Sequence, residues 1–175
     1  MNHHGIATLP DVRSTEKVRR DRNLRRVGLA VLLVFLLAGA TGLLGVRTAT
    51  VRTEGDGVRM SLDYAAVTRA GLATPYHLEV VRPDGFDGPF TIALSREFFD
   101  RFDFQNFYPN PAEETADAAW VVYEFDPPDG AVFRWSFDVK TAPNQLGSMR
   151  TYTTQLRDSD GAVEAELRHR MVVIP

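Results

Sequence analysis

The sequence predicts an all-β fold, an immunoglobulin-like antiparallel β-sandwich of about eight strands, preceded by a single transmembrane helix. Three observations predict it. Residues Val27 to Val46 form a run of 20 residues without a charge. Residues 47–175 alternate apolar and polar side chains in short segments. Strong turn formers separate those segments.

The chain has 175 residues, 44% of them hydrophobic, which suits one ordinary domain plus a short extra element. It contains no cysteine, which excludes a disulfide framework, cysteine zinc sites and thiol chemistry. Its net charge of −3 hides an uneven distribution. Residues 1–26 hold seven basic side chains (Arg13, Lys17, Arg19, Arg20, Arg22, Arg25 and Arg26) against three acids, a net of +4. Without apolar periodicity they read as a mostly disordered basic tail.

As a helix, Val27–Val46 reaches about 30 Å, the thickness of a hydrocarbon core. A soluble helix of that length would carry a polar stripe, and none is present. The arginines before the span, Arg19, Arg20, Arg25 and Arg26 among them, set the topology: tail in the cytoplasm, remainder exported. Ala38-Gly39-Ala40 fits a signal-peptidase pattern, with cleavage after Ala40 as the rival reading. The long lead and the continuing apolar residues Leu43, Leu44 and Val46 favour an uncleaved anchor. Twin-arginine export through Arg25-Arg26 fits poorly with the Val27-Gly28-Leu29 that follows. Small residues Ala38, Thr41, Gly42 and Gly45 suit close helix approach, although ordinary anchor composition explains them as well.

Residues 47–175 carry 13 basic and 20 acidic side chains, a net of −7. Period-two alternation places strands at Val58–Tyr64, Tyr76–Val81, Phe90–Leu94, Phe133–Val139 and Val163–Val173, with shorter ones at Thr48–Thr53, Ala119–Phe125 and Met149–Leu156. Glu54-Gly55-Asp56-Gly57, Pro83-Asp84-Gly85, Pro127-Pro128-Asp129-Gly130 and Asp158-Ser159-Asp160-Gly161 supply turns. Trp135 or Trp120 is the expected core anchor of such a sandwich.

One stretch is irregular. Ser95–Pro111 packs six aromatics between Phe98 and Tyr108, and Ser95 can cap a short helix there. Residues 112–118 read as an acidic loop. An exposed aromatic cluster marks an interaction site, which makes Phe104, Phe107, Tyr108 and Asp103 the candidate partner-binding residues. The favoured reading of the stretch is a crossover whose rings plug the end of the sandwich, with Phe98 and Phe102 inside and Phe104, Phe107 or Tyr108 partly out.

Other chemistry has weak support. Asp158-x-Asp160-Gly161 opens like a calcium loop but lacks the later ligands, so a hairpin turn is favoured. His77 and His169 lack a third metal ligand, and His169 falls on an apolar strand face as a satisfied core or rim histidine. His3 and His4 read as tail residues. Glu97, Asp100 and Asp103 imitate a glycosidase pair only by being near one another in sequence. No nucleophile elbow, zinc-protease motif or phosphate loop occurs, so neither catalytic residue, metal site nor cofactor is assigned. The acidic body argues against nucleic acid, whereas the basic tail suits anionic headgroups.

Arg69-Ala70-Gly71-Leu72-Ala73-Thr74-Pro75, Phe86-Asp87-Gly88-Pro89, Tyr123-Glu124-Phe125-Asp126-Pro127-Pro128 and the ending Met171-Val172-Val173-Ile174-Pro175, set behind a basic tail and one anchor, resemble uncharacterised single-pass envelope proteins of high-GC actinobacteria. Arginine makes up 18 of the 20 basic residues, in keeping with that source. The resemblance implies an architecture and no activity. The plan is also similar to membrane-anchored copper-delivery proteins of oxidase assembly, whose paired cysteine ligands are missing here. The expected role is a non-enzymatic accessory or interaction protein. Its partners would be the bilayer, through 27–46, and another membrane or cell-envelope protein. The alternative is a glycan- or metal-binding module using the aromatic loop 98–108.

Overall fold

The computed structural model describes residues 15–40, 45–141 and 147–174, in two units, residues 1–44 and 45–175, each taken by itself. In the first, α1 runs from Thr15 to Ala40. It therefore begins ahead of Val27, and residues 15–26, expected to be mostly disordered, are helical instead. Arginine is a good helix former, and Glu16 with Arg20 and Asp21 with Arg25 stand at the acid-before-base i,i+4 spacing that supports a helix. Gly45 and Val46 are not helical, and residues 41–44, which include Thr41 and Gly42, lie outside the described residues, as do His3, His4 and Arg13. Within α1 the stretch Arg19–Ala40 contains a segment long and apolar enough to cross a membrane. Its large apolar side chains, Val27 through Leu37, are 54–67% exposed.

The second unit is mostly β. Its strands are β1 (Arg47–Gly55), β2 (Val58–Arg69), β3 (Ala73–Val81), β4 (Phe90–Ser95), β5 (Phe102–Tyr108), β6 (Glu113–Ala116), β7 (Trp120–Phe125), β8 (Val132–Thr141), β9 (Ser148–Arg157) and β10 (Val163–Ile174). A four-residue helix, α2 (Arg96–Phe99), follows β4. The hydrogen-bonded order is β5-β8-β3-β2-β10-β9-β4-β7-β6, with β1 paired to β2. Three features depart from the expected plan. Ten strands are present among the described residues rather than about eight. Nine of them form one continuous curled path, with β1 paired to β2 off it. Finally, β10 runs parallel to β2 over Val172–Ile174. The two additional strands are β5, inside the stretch expected to be irregular, and β6, in the stretch expected to be an acidic loop.

Curling brings the two arms of the sheet face to face. The Tyr76 hydroxyl on β3 meets the Thr154 hydroxyl on β9 at 2.8 Å. Phe90 on β4 contacts Phe133 on β8 edge-on at 4.9 Å, and Phe125 on β7 contacts Trp135 at 5.1 Å. The alternation seen in sequence explains which side chains enter this interior, because every second residue of a strand shares one face. Val58, Met60 and Leu62, then Tyr76, Leu78 and Val80, then Phe133, Trp135, Phe137 and Val139, are all buried. Trp135 is the expected core anchor, whereas Trp120 is half-buried beneath Arg157, whose guanidinium carbon lies 5.1 Å from the ring centre.

The turns behave as their composition dictates. Asp56 and Gly57 both have positive φ, 45° and 77°, and close the two-residue hairpin between β1 and β2. The Asp158 carboxylate accepts the N–H groups of Asp160 and Ala162, at 2.9 and 2.8 Å, and so holds the hairpin turn. The expected Ser95 cap is not made: the Ser95 hydroxyl accepts the Thr153 N–H at 3.3 Å, which ties β4 to β9.

Candidate functional site

The aromatic stretch divides by direction. Phe98 and Phe102 are buried. Phe104 turns inward to Phe98, at 4.9 Å, and to Phe99, at 4.1 Å. Phe107 stacks on Trp135 at 5.7 Å and approaches Tyr123 at 5.5 Å. Of the four expected partner-binding residues, only Asp103 and Tyr108 stand on the surface, Tyr108 with 77% exposure.

A β-bulge causes this division. On β5, Gln105 lies opposite Asp138 and Tyr108 opposite Ser136, so three steps on β5 match two on β8. The extra residue is Asn106, at φ 60°, whose side-chain amide donates to the Asp138 carboxylate at 2.7 Å. Strict alternation from Phe102 would send Phe107 out and Tyr108 in. The inserted residue reverses both, as bulges do where a side chain is re-aimed.

Tyr108 thereby joins the outer face of β5, β8, β3, β2 and β1, where the registers stack polar residues into two cross-strand rows. One row is Tyr108, Ser136, His77, Asp63 and Thr50. The other is Arg134, Glu79, Ser61 and Arg52. Apart from Thr50, they line a groove of about 510 Å³. Arg134 Nε donates to Glu79 at 2.8 Å, and the Thr50 hydroxyl donates to Asp63.

The first row sets Asp63, His77 and Ser136 side by side, the residue types of a hydrolytic triad. Their hydrogen bonds are not those of a triad. Ser136 Oγ donates to the Tyr108 carbonyl at 3.3 Å, and Asp63 is engaged by Thr50. Strands β3 and β8 are each paired on both sides, so their N–H groups serve the ladder and are not free to cradle an oxyanion.

The remaining expected sites are dispersed. Glu97 and Asp100 sit with Arg101 and Arg150 around a shallow depression of about 200 Å³, while Asp103 faces Lys140 across the ladder. Among the described residues, no group of three or more metal-ligating side chains comes together.

His169 is the feature sequence reading assigned wrongly. It is buried as expected, but it is not satisfied: neither ring nitrogen has a hydrogen-bond partner. Tyr64, Tyr76 and Phe98 meet it edge-on at 5.0, 5.5 and 5.6 Å, and Tyr152 lies at 5.9 Å. Burial among these rings pushes its pKa down to about 3, so it is neutral at ordinary pH. Desolvation likewise raises the Tyr76, Tyr123 and Tyr152 hydroxyls. The groove residues missed at first are the polar members of strands already recognised. Their alternation was visible, but which strands lie side by side was not.

No protein-family model and no curated protein matches the chain. Solved structures with a similar path include a chain of the CaDoc0917–CaCohA2 complex at pH 5.5, at 9% identity, covering 63% of this chain and 96% of that one with a TM-score of 0.44. AvmM, which catalyses macrocyclization in alchivemycin A biosynthesis, is 10% identical over 71% of this chain and 96% of its own, with a TM-score of 0.39. A non-cellulosomal cohesin from the hyperthermophilic archaeon Archaeoglobus fulgidus is 12% identical over 74% and 92%, with a TM-score of 0.37. At such scores the likeness is one of general chain path and assigns no role.

Proposed function

We propose that the chain is a membrane-anchored, non-enzymatic interaction protein. In this reading α1 crosses the cytoplasmic membrane with its arginine-rich start inside. The β unit is an immunoglobulin-like module held outside, meeting the cell envelope through the outer face of β5, β8, β3, β2 and β1. One observation carries the reading: α1 holds a stretch long and apolar enough to cross a membrane, with exposed large apolar side chains, next to Arg19, Arg20, Arg25 and Arg26. The basic residues also suit the anionic inner leaflet, where each contributes about 1 kcal/mol. Kinship with single-pass actinobacterial envelope proteins belongs to the same proposal. The groove supports a binding role over a catalytic one, because its serine and aspartate are bonded elsewhere, its histidine bonds neither of them, and the site is open to water.

The missing cysteines make the test clean. Asn23→Cys and Asp129→Cys variants are treated in intact cells with a membrane-impermeant maleimide. Labelling at position 129 alone, with position 23 reacting only after permeabilisation, is expected. The opposite pattern, or release of the β unit into the soluble fraction, overturns the anchor. Hydrolysis of p-nitrophenyl acetate above the buffer rate, lost in Ser136→Ala, overturns the non-enzymatic part.

A further inference from the structure

We infer that the outer groove is a binding site for a neutral saccharide, with Tyr108 as the ring on which a sugar stacks and Arg52, Ser61, Asp63 and His77 as the groups that read its hydroxyls. The inference deepens the proposed function by naming the partner class.

Four observations converge. The first is the bulge at Asn106, without which Tyr108 would point into the core and Phe107 out. Because of it, a 77%-exposed aromatic ring stands at the end of the row that continues through Ser136, His77 and Asp63. A flat, electron-rich face of this kind suits the C–H face of a pyranose ring, which carries slight positive charge.

The second is the state of the polar groups. Among the described residues the side chains of Arg52, Ser61 and His77 make no hydrogen bond, and the Asp63 carboxylate accepts one from Thr50. A guanidinium offers a fork of donors, a carboxylate a pair of acceptors, and imidazole and serine one or more of each. A sugar hydroxyl is both donor and acceptor, so a hydroxyl-rich ligand satisfies all of them.

The third is charge. The lining contains Arg52 and Arg134 against Asp63 and Glu79, a balanced set, in a body that is otherwise acidic. A polyanion would meet two carboxylates and a polycation two guanidiniums, whereas a neutral ligand meets no like charge.

The fourth is the lack of an apolar centre. Protein-binding hot spots cluster in desolvated pockets around several apolar or aromatic anchors. Among the groove's lining residues Tyr108 is the one large apolar side chain that is exposed, since Leu78 and Trp135 are buried. A groove with polar walls and one aromatic end fits a sugar chain better than a protein surface.

The test uses the full chain in a phosphocholine-headed detergent, which avoids sugar-headed competitors. Probes are immobilised cellohexaose, maltohexaose, mannohexaose and chitohexaose, with polygalacturonate and polylysine as charged controls. Binding to at least one neutral hexasaccharide is expected. Tyr108→Ala weakens it about tenfold or more, and Tyr108→Phe keeps most of it. Arg52→Ala, a second exposed position, also weakens it, and thermal midpoints stay level in all three variants. Failure of every neutral hexasaccharide to bind overturns the inference. So does binding that survives both Tyr108→Ala and Arg52→Ala, or stronger binding to polygalacturonate. A photo-crosslinker at position 108 that captures a membrane protein, with no saccharide bound, overturns this inference while leaving the anchored interaction module standing. Reversed maleimide labelling removes the module's location and leaves saccharide binding to be judged on the hexasaccharides alone.

Discussion

The two histidines of the β unit occupy alternate faces of the same sheet. His77 stands on the outer face, exposed, between Ser136 and Asp63 in a cross-strand row of polar groups. His169 is sealed in the inner face among Tyr64, Tyr76, Phe98 and Tyr152, with both ring nitrogens unpartnered. Water can reach the first and bond its ring nitrogens. The second must stay neutral, and even then loses its hydrogen bonds. One sheet therefore devotes its inside to ring packing and leaves its outside free for recognition.

That division predicts a steep difference in sensitivity. Phe98 touches Tyr76, Phe102, Phe104, Tyr152 and His169, so Phe98→Ala should cost about 3–5 kcal/mol. The urea midpoint of the full chain reports it, and a loss as small as that of a surface variant would break the comparison.

Acid should act on the inside next. The unfolded chain protonates this histidine near its ordinary value of 6.5, whereas the folded chain resists to about 3. The contribution is complete above pH 6.5 and declines as pH falls toward 3, because the unfolded state binds the proton first. The slope approaches about 1.4 kcal/mol per pH unit. His169→Leu should flatten that part of the stability–pH curve and leave stability at pH 7 equal or higher, since it removes two unpartnered polar atoms. An unchanged slope in His169→Leu would assign the acid sensitivity to carboxylates instead.

A methyl added at Gly55 would collide with the Glu164 backbone carbonyl, which has no flexible side chain to yield. Gly55→Ala should lower stability by about 1–3 kcal/mol in thermal melts, a backbone contact and not a ring contact setting its size.

The outer face should respond least. Arg134 and Glu79 form an exposed ion pair, so Arg134→Gln should change stability by no more than about 1 kcal/mol, and less in high salt. A larger, salt-insensitive loss would mean that the groove floor also holds the fold together.

Much of the inner face was readable. Period two marked β2, β3, β8 and β10 and placed Trp135 and His169 inward, because alternation assigns faces without reference to neighbours. Strands β5 and β6 escaped notice for separate reasons. In β5 the bulge at Asn106 breaks the alternation, and the aromatics on both sides of it suggest no single face. Strand β6 is Glu113–Ala116, exposed throughout and without a large apolar side chain, so it carries no pattern to read. The helical stretch 15–26 was passed over because it has no apolar stripe, although its charge spacing favours a helix. Of the candidate partner-binding residues, Tyr108 and Asp103 stand outside and Phe104 and Phe107 inside, a split that turns on one inserted residue.

By itself the sequence determined what local chemistry can determine: the apolar helix, the turns at Asp56-Gly57 and at Asp158, the strands with clean alternation, and the absence of thiol chemistry. These follow from dihedral preference, hydrophobic period and residue type, which act over a few neighbours. Only the tertiary structure decided that β1, β2, β3, β8 and β5 lie side by side, and so that Arg52, Asp63, His77, Ser136 and Tyr108 share one groove. Strand order is set by how the whole sheet buries its inner face, and no span of adjacent residues encodes it.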